Sequence, residues 1–189
     1  MTTPQAPLFI PSQVCAIVGK DPGATPPDVC MSLVEDDLRD DGVSASHVPA
    51  NTGLPQVVAD AKQKGIDLKI VVLDQNPPID TPLRDIATEV GKDFGGSTVL
   101  VLSPSFAGTY SPTFDRSTLE AGQDIAKVSG TPVVASQNFV TELTTPHFPW
   151  TPFTLLLVLG VAVAAVGTRL LQVRARKGSA AETPVAADN

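Results

Sequence analysis

Two acidic side chains follow the first strongly apolar run of the chain, in a loop that also carries amide groups. The loop reads Asp-Gln-Asn-Pro-Pro-Ile-Asp, and its carboxylates are Asp74 and Asp80. Carboxylate oxygens are the ligands that Mg²⁺ and Ca²⁺ prefer, so the pair predicts a divalent-metal site. The spacing fits no EF-hand, and Asp80 is equally explained by a helix that begins beside it, since the helix dipole stabilises negative charge. Both interpretations stay open, and the sequence predicts no other cofactor.

A second polar segment follows the next apolar run and is rich in hydroxyl groups. It reads Ser-Pro-Ser-Phe-Ala-Gly-Thr-Tyr-Ser-Pro and contains Ser103, Ser105 and the only tyrosine of the chain, Tyr110. A nucleophilic serine needs a positioned base, but the two histidines lie in other segments and no Gly-x-Ser-x-Gly elbow is present. We therefore predict an exposed interaction loop that uses Ser103, Ser105 and Tyr110, and no catalytic residue.

The charge balance narrows the classes of partner. The chain has 189 residues, with 13 Lys and Arg against 20 Asp and Glu, for a net charge of −7. Residues 1–148 hold nine of these basic and eighteen of these acidic side chains, so the acidity belongs to the part before the last apolar segment. Nucleic-acid binding requires a basic surface that neutralises phosphates. We therefore exclude nucleic acid as a partner.

Apolar periodicity predicts helices that alternate with buried strands. The predicted helices cover 28–40, 54–64, a segment that begins with Thr81 as N-cap and Pro82 as first residue, and a segment that begins at a Ser117–Glu120 capping box. The predicted strands are the apolar runs 67–73 and 98–102 and a short third strand at 132–135, followed by a helical turn at 138–143. This alternation predicts a single three-layer α/β sandwich with parallel strands where a helix crosses over.

A membrane segment is the clearest signal near the C-terminus. Twenty successive residues, 149–168, carry no charge, and a helix of that length spans the roughly 30 Å of a bilayer core. The residues expected to anchor it are aromatic at its start and basic at its end: Trp150, Phe153, Arg169, Arg174, Arg176 and Lys177. The predicted organisation is a Pro-rich N-terminal arm (1–27), an acidic α/β domain (28–147), a transmembrane helix (149–172), and a basic and then disordered tail (173–189).

Two features of the sequence disagree about the orientation of this segment in the membrane. All the flanking basic residues follow the apolar segment, which places the tail in the cytoplasm and the domain outside. The N-terminus, however, has no pattern typical of a signal peptide. We expect the outside placement in the plasma membrane. Cys30 lies on the apolar stripe of its helix and is expected to be a small core residue. With the domain outside, pairing of Cys15 with Cys30 is the alternative.

Several segments resemble an uncharacterised actinobacterial family of small single-pass membrane proteins, found in mycobacteria and corynebacteria. The segments that carry this resemblance are 65–72, 76–90, 97–105, 119–124 and 145–150, and it extends over roughly residues 28–177. The order of helices and strands before one membrane helix is also distantly similar to TPM domains. That similarity implies an α/β module displayed at a membrane, and in some members metal-binding acidic residues and phosphatase activity. In this sequence, Asp74 and Asp80 are the residues that would correspond to those acidic residues.

These observations lead to one preferred function and two alternatives. The preferred function is a non-catalytic, membrane-anchored interaction or regulatory domain of the cell envelope, whose partner is an envelope protein such as a wall-processing enzyme. The first alternative is a metal-assisted phosphohydrolase in which Asp74 and Asp80 hold the ion and Ser103 or Ser105 contacts the substrate. The second is a cytoplasmic, tail-anchored adaptor with the same fold.

Overall fold

The computed structural model describes residues 8–146 and 150–179. The chain divides into two compact units, residues 1–145 and residues 146–189, and each is described by itself.

A four-stranded sheet forms the centre of the first unit. Its strands are β1 (Val43–Ala45), β2 (Leu68–Val72), β3 (Thr98–Leu102) and β4 (Ala107–Tyr110). They lie in the order β1-β2-β3-β4, with β1, β2 and β3 parallel and β4 antiparallel to β3. The two predicted strands that became β2 and β3 are confirmed. The sequence does not predict β1, because it is only three residues long, or β4, because its sequence Ala-Gly-Thr-Tyr is small and polar.

Helices cover both faces of this sheet, so the predicted three-layer α/β sandwich is confirmed. The helices of this unit are α1 (Val14–Ile17), α2 (Pro27–Asp40), α3 (Leu54–Gln63), α4 (Thr81–Asp93), α5 (Arg116–Lys127) and α6 (Pro132–Thr144). Apolar residues of α3, α5 and α6 pack with Ile70 and Leu100 on one face. Those of α1, α2 and α4 pack with Val71 and Val101 on the other. Because both faces are covered, β2 and β3 are apolar runs without polar alternation.

The two parallel connections differ in hand. The connection from β1 to β2 runs through α3 on one face, and that from β2 to β3 runs through α4 on the other. Both connections step in the same direction across the sheet, so they must have opposite hands. One of them therefore departs from the right-handed rule for such crossovers.

The predicted strand at 132–135 is wrong, because these residues form the first turn of α6. Thr131 is the N-cap, and its side-chain oxygen accepts a hydrogen bond from the Val134 amide. Pro132 occupies the first helical position, where the absent N–H would have no partner anyway. β-branched residues mislead here because the cap and the proline outweigh their strand preference.

Two helix starts also lie one or two residues before their predicted positions. The N-cap of α5 is Asp115, and its Oδ1 accepts hydrogen bonds from the Ser117 hydroxyl at 2.6 Å and from the Thr118 amide at 2.9 Å. These bonds, the one from Ser117 first, lower the pKa of the Asp115 carboxyl. The predicted capping box is therefore wrong: Glu120 instead accepts from Arg116 at 2.6 Å. In α4 the N-cap position belongs to Asp80, not to Thr81.

The N-terminal segment packs as part of the domain, in contrast to the separate arm predicted for residues 1–27. Val14 and Ile17 of α1 are buried, and Cys15 forms a disulfide with Cys30 of α2 across a Cα–Cα distance of 4.9 Å. The domain core therefore begins well before residue 28. The prolines obscured this, because they interrupt the apolar pattern of the first residues.

The second unit contains one long helix, α7 (Trp150–Ser179). Within it, Pro152–Arg176 is long and apolar enough to cross a membrane, and an 18-residue window of this segment has a mean hydropathy of 2.1. The predicted transmembrane helix is therefore confirmed as a candidate span. The helix continues past the predicted end at residue 172, because Arg174 and Arg176 favour helix as strongly as the apolar residues before them. The predicted boundary at 147–149 and the residues after 179 lie outside the described part.

We predict that the disulfide contributes strongly to stability. Reduction of the full-length protein in detergent is expected to lower its free energy of unfolding by about 3 kcal/mol, because the bond closes a loop between residues 15 apart in sequence. Urea unfolding followed by circular dichroism, with and without reductant, measures the change. A double variant, Cys15→Ala with Cys30→Ala, is the control and should not respond to reductant. An unfolding midpoint that reduction leaves unchanged would contradict the prediction.

Candidate functional site

The parallel strands β1, β2 and β3 end at the same edge of the sheet, and polar side chains gather there. Open α/β sheets bind ligands beyond the carboxyl ends of their strands. Ser46 follows β1, Asp74 and Asn76 follow β2, and Ser103 follows β3. This edge therefore brings together groups that are far apart in the chain.

Asp74 joins the end of β2 to the end of β1. One of its carboxylate oxygens accepts a hydrogen bond from the Ser46 hydroxyl at 2.6 Å. The Ser46 carbonyl in turn accepts from the side-chain amide of Asn51 at 2.9 Å. The Asp74 carboxylate thus has a structural partner, which a resident metal ion would have to displace or share.

Asn76 holds the two predicted loops side by side. Its Oδ1 accepts hydrogen bonds from the Ser103 hydroxyl at 2.8 Å and from the Ser105 backbone amide at 2.9 Å. The loops after β2 and β3 lie together because the two strands are neighbours in the sheet. The Ser103 hydroxyl oxygen also accepts from the Phe106 amide at 3.3 Å and lies 3.3 Å from the Phe106 carbonyl. The contacts of this hydroxyl therefore shape the loop.

Asp80 lies at the start of α4 and takes no part in the hydrogen bonds described above. It occupies the N-cap position of α4 without a side-chain capping bond, which matches the alternative offered by the sequence. Within residues 8–146 and 150–179, no three His, Cys, Asp or Glu side chains gather in an arrangement that could hold a metal ion. A site built on Asp74 and Asp80 stays a prediction.

Tyr110 is separated from Ser103 and Ser105, although the sequence placed all three in one loop. The segment turns back immediately after Phe106 and forms β4, so Tyr110 lies at the far end of that strand. Its ring packs where a side chain at Gly91 of α4 would have to be. The prediction of a single loop is wrong for Tyr110, because the segment that follows Phe106 is a strand. The small residues of this strand let α4 approach closely.

A cavity of about 310 Å³ opens between this edge and the turn from α5 to α6. Its floor is apolar and includes Val72 and Leu102, the last residues of β2 and β3. Its polar lining residues are Asn51, Asp74, Ser103, Lys127, Ser129 and Thr131. A cavity of this size with an apolar floor and few polar groups has the character of a site for a small ligand or a partner side chain.

Asn51 is a candidate site residue that the sequence analysis did not identify. Its side chain is 7% exposed and lines the cavity, and its Oδ1 has no hydrogen-bond donor among the described residues. A buried acceptor without a donor costs about 1–3 kcal/mol, so such atoms are uncommon in folded proteins. The sequence Asn-Thr-Gly before α3 is typical of a turn and carried no other signal.

The predicted anchor residues lie along α7. Phe153, Arg169, Arg174 and Arg176 are exposed on the helix surface, as expected for side chains that face lipid or its headgroups. The side chains of Trp150 and Lys177 lie outside the described part.

An α/β sandwich together with one apolar helix long enough to cross a bilayer defines a membrane protein with a folded domain and one candidate span. The chain belongs to the Rv1476 membrane protein family, whose sequence profile matches residues 24–183. It is 52% identical over 180 residues to the membrane protein Rv1476 of Mycobacterium tuberculosis (strain ATCC 25618 / H37Rv), an alignment that covers 95% of this chain and 91% of that protein. No solved structure matches the chain. The resemblance to an actinobacterial membrane protein family is confirmed, and the similarity to TPM domains stays a prediction.

We expect millimolar Mg²⁺ or Ca²⁺ to leave the melting temperature of the full-length protein unchanged. A ligand that binds only the folded state raises this temperature, but the Asp74 carboxylate already accepts from Ser46. The described residues also include no group of three or more His, Cys, Asp or Glu side chains that could hold the ion. Thermal scans in chelator and in either ion measure the effect, with Asp74→Asn as the matched variant. A rise of several degrees that Asp74→Asn abolishes would contradict the expectation and support the metal site.

Proposed function

We propose that this membrane protein displays its α/β domain on the outer side of the plasma membrane, where it binds and regulates another protein of the cell envelope. The observation that carries the proposal is the disulfide between Cys15 and Cys30. Stable disulfides belong to oxidising compartments and are rare in the cytoplasm.

The charge of α7 supports the same orientation. Arg169, Arg174 and Arg176 all lie in the second half of the helix, and the first half carries no basic residue. Basic residues are retained on the cytoplasmic side of membrane spans. The disulfide and the basic cluster are independent signals, and both favour a domain outside and a C-terminus inside.

The hydrogen bonds of the candidate site support binding over catalysis. Activation of a serine requires a base that takes its proton, but the Ser103 hydroxyl donates to the amide oxygen of Asn76, which is not a base. The Asp74 carboxylate is engaged by Ser46. These groups shape the surface around the cavity, which is what a recognition site requires.

Exposed apolar side chains surround this edge of the sheet. Val48 is 43% exposed, Ile79 59% and Val128 83%. Val48 lines the cavity, and Val128 belongs to the α5–α6 turn that closes it. Apolar groups gathered beside a cavity are typical of a protein-binding surface. A wall-processing enzyme is the class of partner that we favour. The phosphohydrolase alternative rests on Asp74 and Asp80 and is tested by the ion titration above.

We predict that the domain is accessible only from outside the cell. Cys15 and Cys30 are completely buried, so the reporter is Asp124→Cys, an exposed position on α5, in a background that lacks both native cysteines. In intact, wall-stripped cells, an impermeant maleimide should label this thiol, because the domain is external. The control is Ala181→Cys in the same background, whose thiol should react only after lysis. Labelling of Asp124→Cys only after lysis would overturn the orientation and favour the cytoplasmic adaptor.

We also predict that the cavity edge contacts the partner directly. A photo-crosslinking residue placed at Val48 or Val128 of the full-length protein in living cells should give the same crosslinked envelope protein, identified by mass spectrometry. The matched control is Val29 on α2, which is 48% exposed and lies away from the cavity. The absence of any reproducible product from the edge positions would overturn the proposed binding function.

A further inference from the structure

A groove of about 760 Å³ runs along the outer side of β1. One wall comes from the end of α2 and the turn after it, and the opposite wall contains Pro49 and Pro55 from the segment that leads into α3. These walls belong to different layers of the sandwich, since α2 and α3 cover opposite faces of the sheet. The base of the groove is therefore the edge of the sheet itself.

The backbone of β1 leaves hydrogen-bonding groups at this edge. Ile70 donates to the Gly42 carbonyl at 2.9 Å, which sets the parallel register and turns the backbone groups of Ser44 toward β2. Those of Val43 and Ala45 point outward. The Val43 amide donates to the Asp41 carboxylate at 2.9 Å. The Val43 carbonyl and both backbone groups of Ala45 remain at the outer edge, where an added strand would pair.

The wall formed by α2 is strongly acidic. Its side chains are Asp36, Asp37, Asp40 and Asp41. Arg39 compensates only one of them, since it pairs with Asp36 at 2.6 Å and with Asp93 of α4 at 2.5 Å. Asp40 has no hydrogen bond or ion pair within residues 8–146 and 150–179. The opposite wall is the more apolar of the two: it presents two prolines and the exposed Val48, beside the polar residues His47 and Thr52.

Asn51 is shared by the groove and the cavity, so its unpaired acceptor is a sign of a ligand at either of them. Its side chain lines the groove as well as the cavity, is 7% exposed, and has an Oδ1 with no donor in the described part of the chain. A peptide brings amide N–H groups and, if basic, ammonium or guanidinium groups. Each of these is the kind of donor that a buried carbonyl oxygen lacks.

We propose that the groove binds an extended, basic segment of the partner, which adds a strand to the sheet beside β1. Side chains of a strand point alternately to the two faces of a sheet. Every second residue of the segment therefore meets the acidic wall of α2, and the residues between meet the apolar wall. The occupant alternates basic and apolar residues. This inference rests on the proposed function, since it specifies how the domain recognises its partner.

The test uses the full-length protein in nanodiscs of phosphatidylcholine, which has no net charge to attract a basic peptide. The probe is a fluorescein-labelled peptide of alternating lysine and valine, and its counterpart alternates glutamate and valine. Fluorescence anisotropy is expected to detect binding of the first peptide and not of the second. Asp40→Lys should weaken this binding about fivefold or more, as expected for reversing a charge beside a solvated cation. Asp124→Lys on α5, an equally helical and exposed position, should not.

A backbone variant separates strand addition from simple charge attraction. Ala45→Pro removes an outward N–H without removing a bond to β2, and it is expected to abolish peptide binding. Circular dichroism establishes that each variant folds, and Asp40→Lys leaves the sheet untouched. Equal affinity of the lysine–valine peptide for the wild type, Asp40→Lys and Ala45→Pro would overturn the proposal, and so would no binding at all.

The experiments distinguish failure of the groove proposal from failure of the proposed function. If the lysine–valine peptide does not bind while Val48 and Val128 still crosslink one envelope protein in cells, the groove proposal is overturned and the proposed function stands. If the peptide binds with the expected dependence on Asp40 and Ala45 while no protein crosslinks in cells, the groove is a peptide site and the proposed function is overturned.

Discussion

The burial of β2 and β3 on both faces is the constraint on which the rest of this domain depends. Leu68, Ile70, Val99 and Leu100 are completely buried, and such strands cannot face water on either side. Helices must therefore cover both faces. On one face α5 and α6 pack beside α3. On the other face α1, from the N-terminal segment, packs beside α2 and α4, and the Cys15–Cys30 disulfide holds this short helix against α2.

The two edges of the sheet differ in how they are covered, and the proposed peptide groove lies at the uncovered one. At one edge β4 folds back on β3, and Gly108 lets α4 approach so closely that a side chain there would collide with the Leu83 backbone. At the other edge β1 is short and open, with acidic side chains beside it. Short strands and charge protect an open edge from unwanted pairing. In the proposed complex, the same acidity attracts the basic segment of the partner.

The apolar helix α7, and not the acidic domain, accounts for membrane association. A negatively charged domain gains nothing from anionic lipid headgroups, so attachment is left to the apolar span Pro152–Arg176. The surfaces of the domain then remain available for protein. The cavity at the strand ends and the groove along β1 share Val48 and Asn51, so one partner is able to engage both.

The sequence by itself determined the alternation of helices and buried strands and the membrane helix. These features follow from apolar periodicity and from rules of connection that act locally. Only the tertiary structure decided that Tyr110 ends a strand, that α1 belongs to the core, and that Asn51 is buried without a donor. Each of these depends on contacts between segments distant in the chain, which no local pattern of residues records.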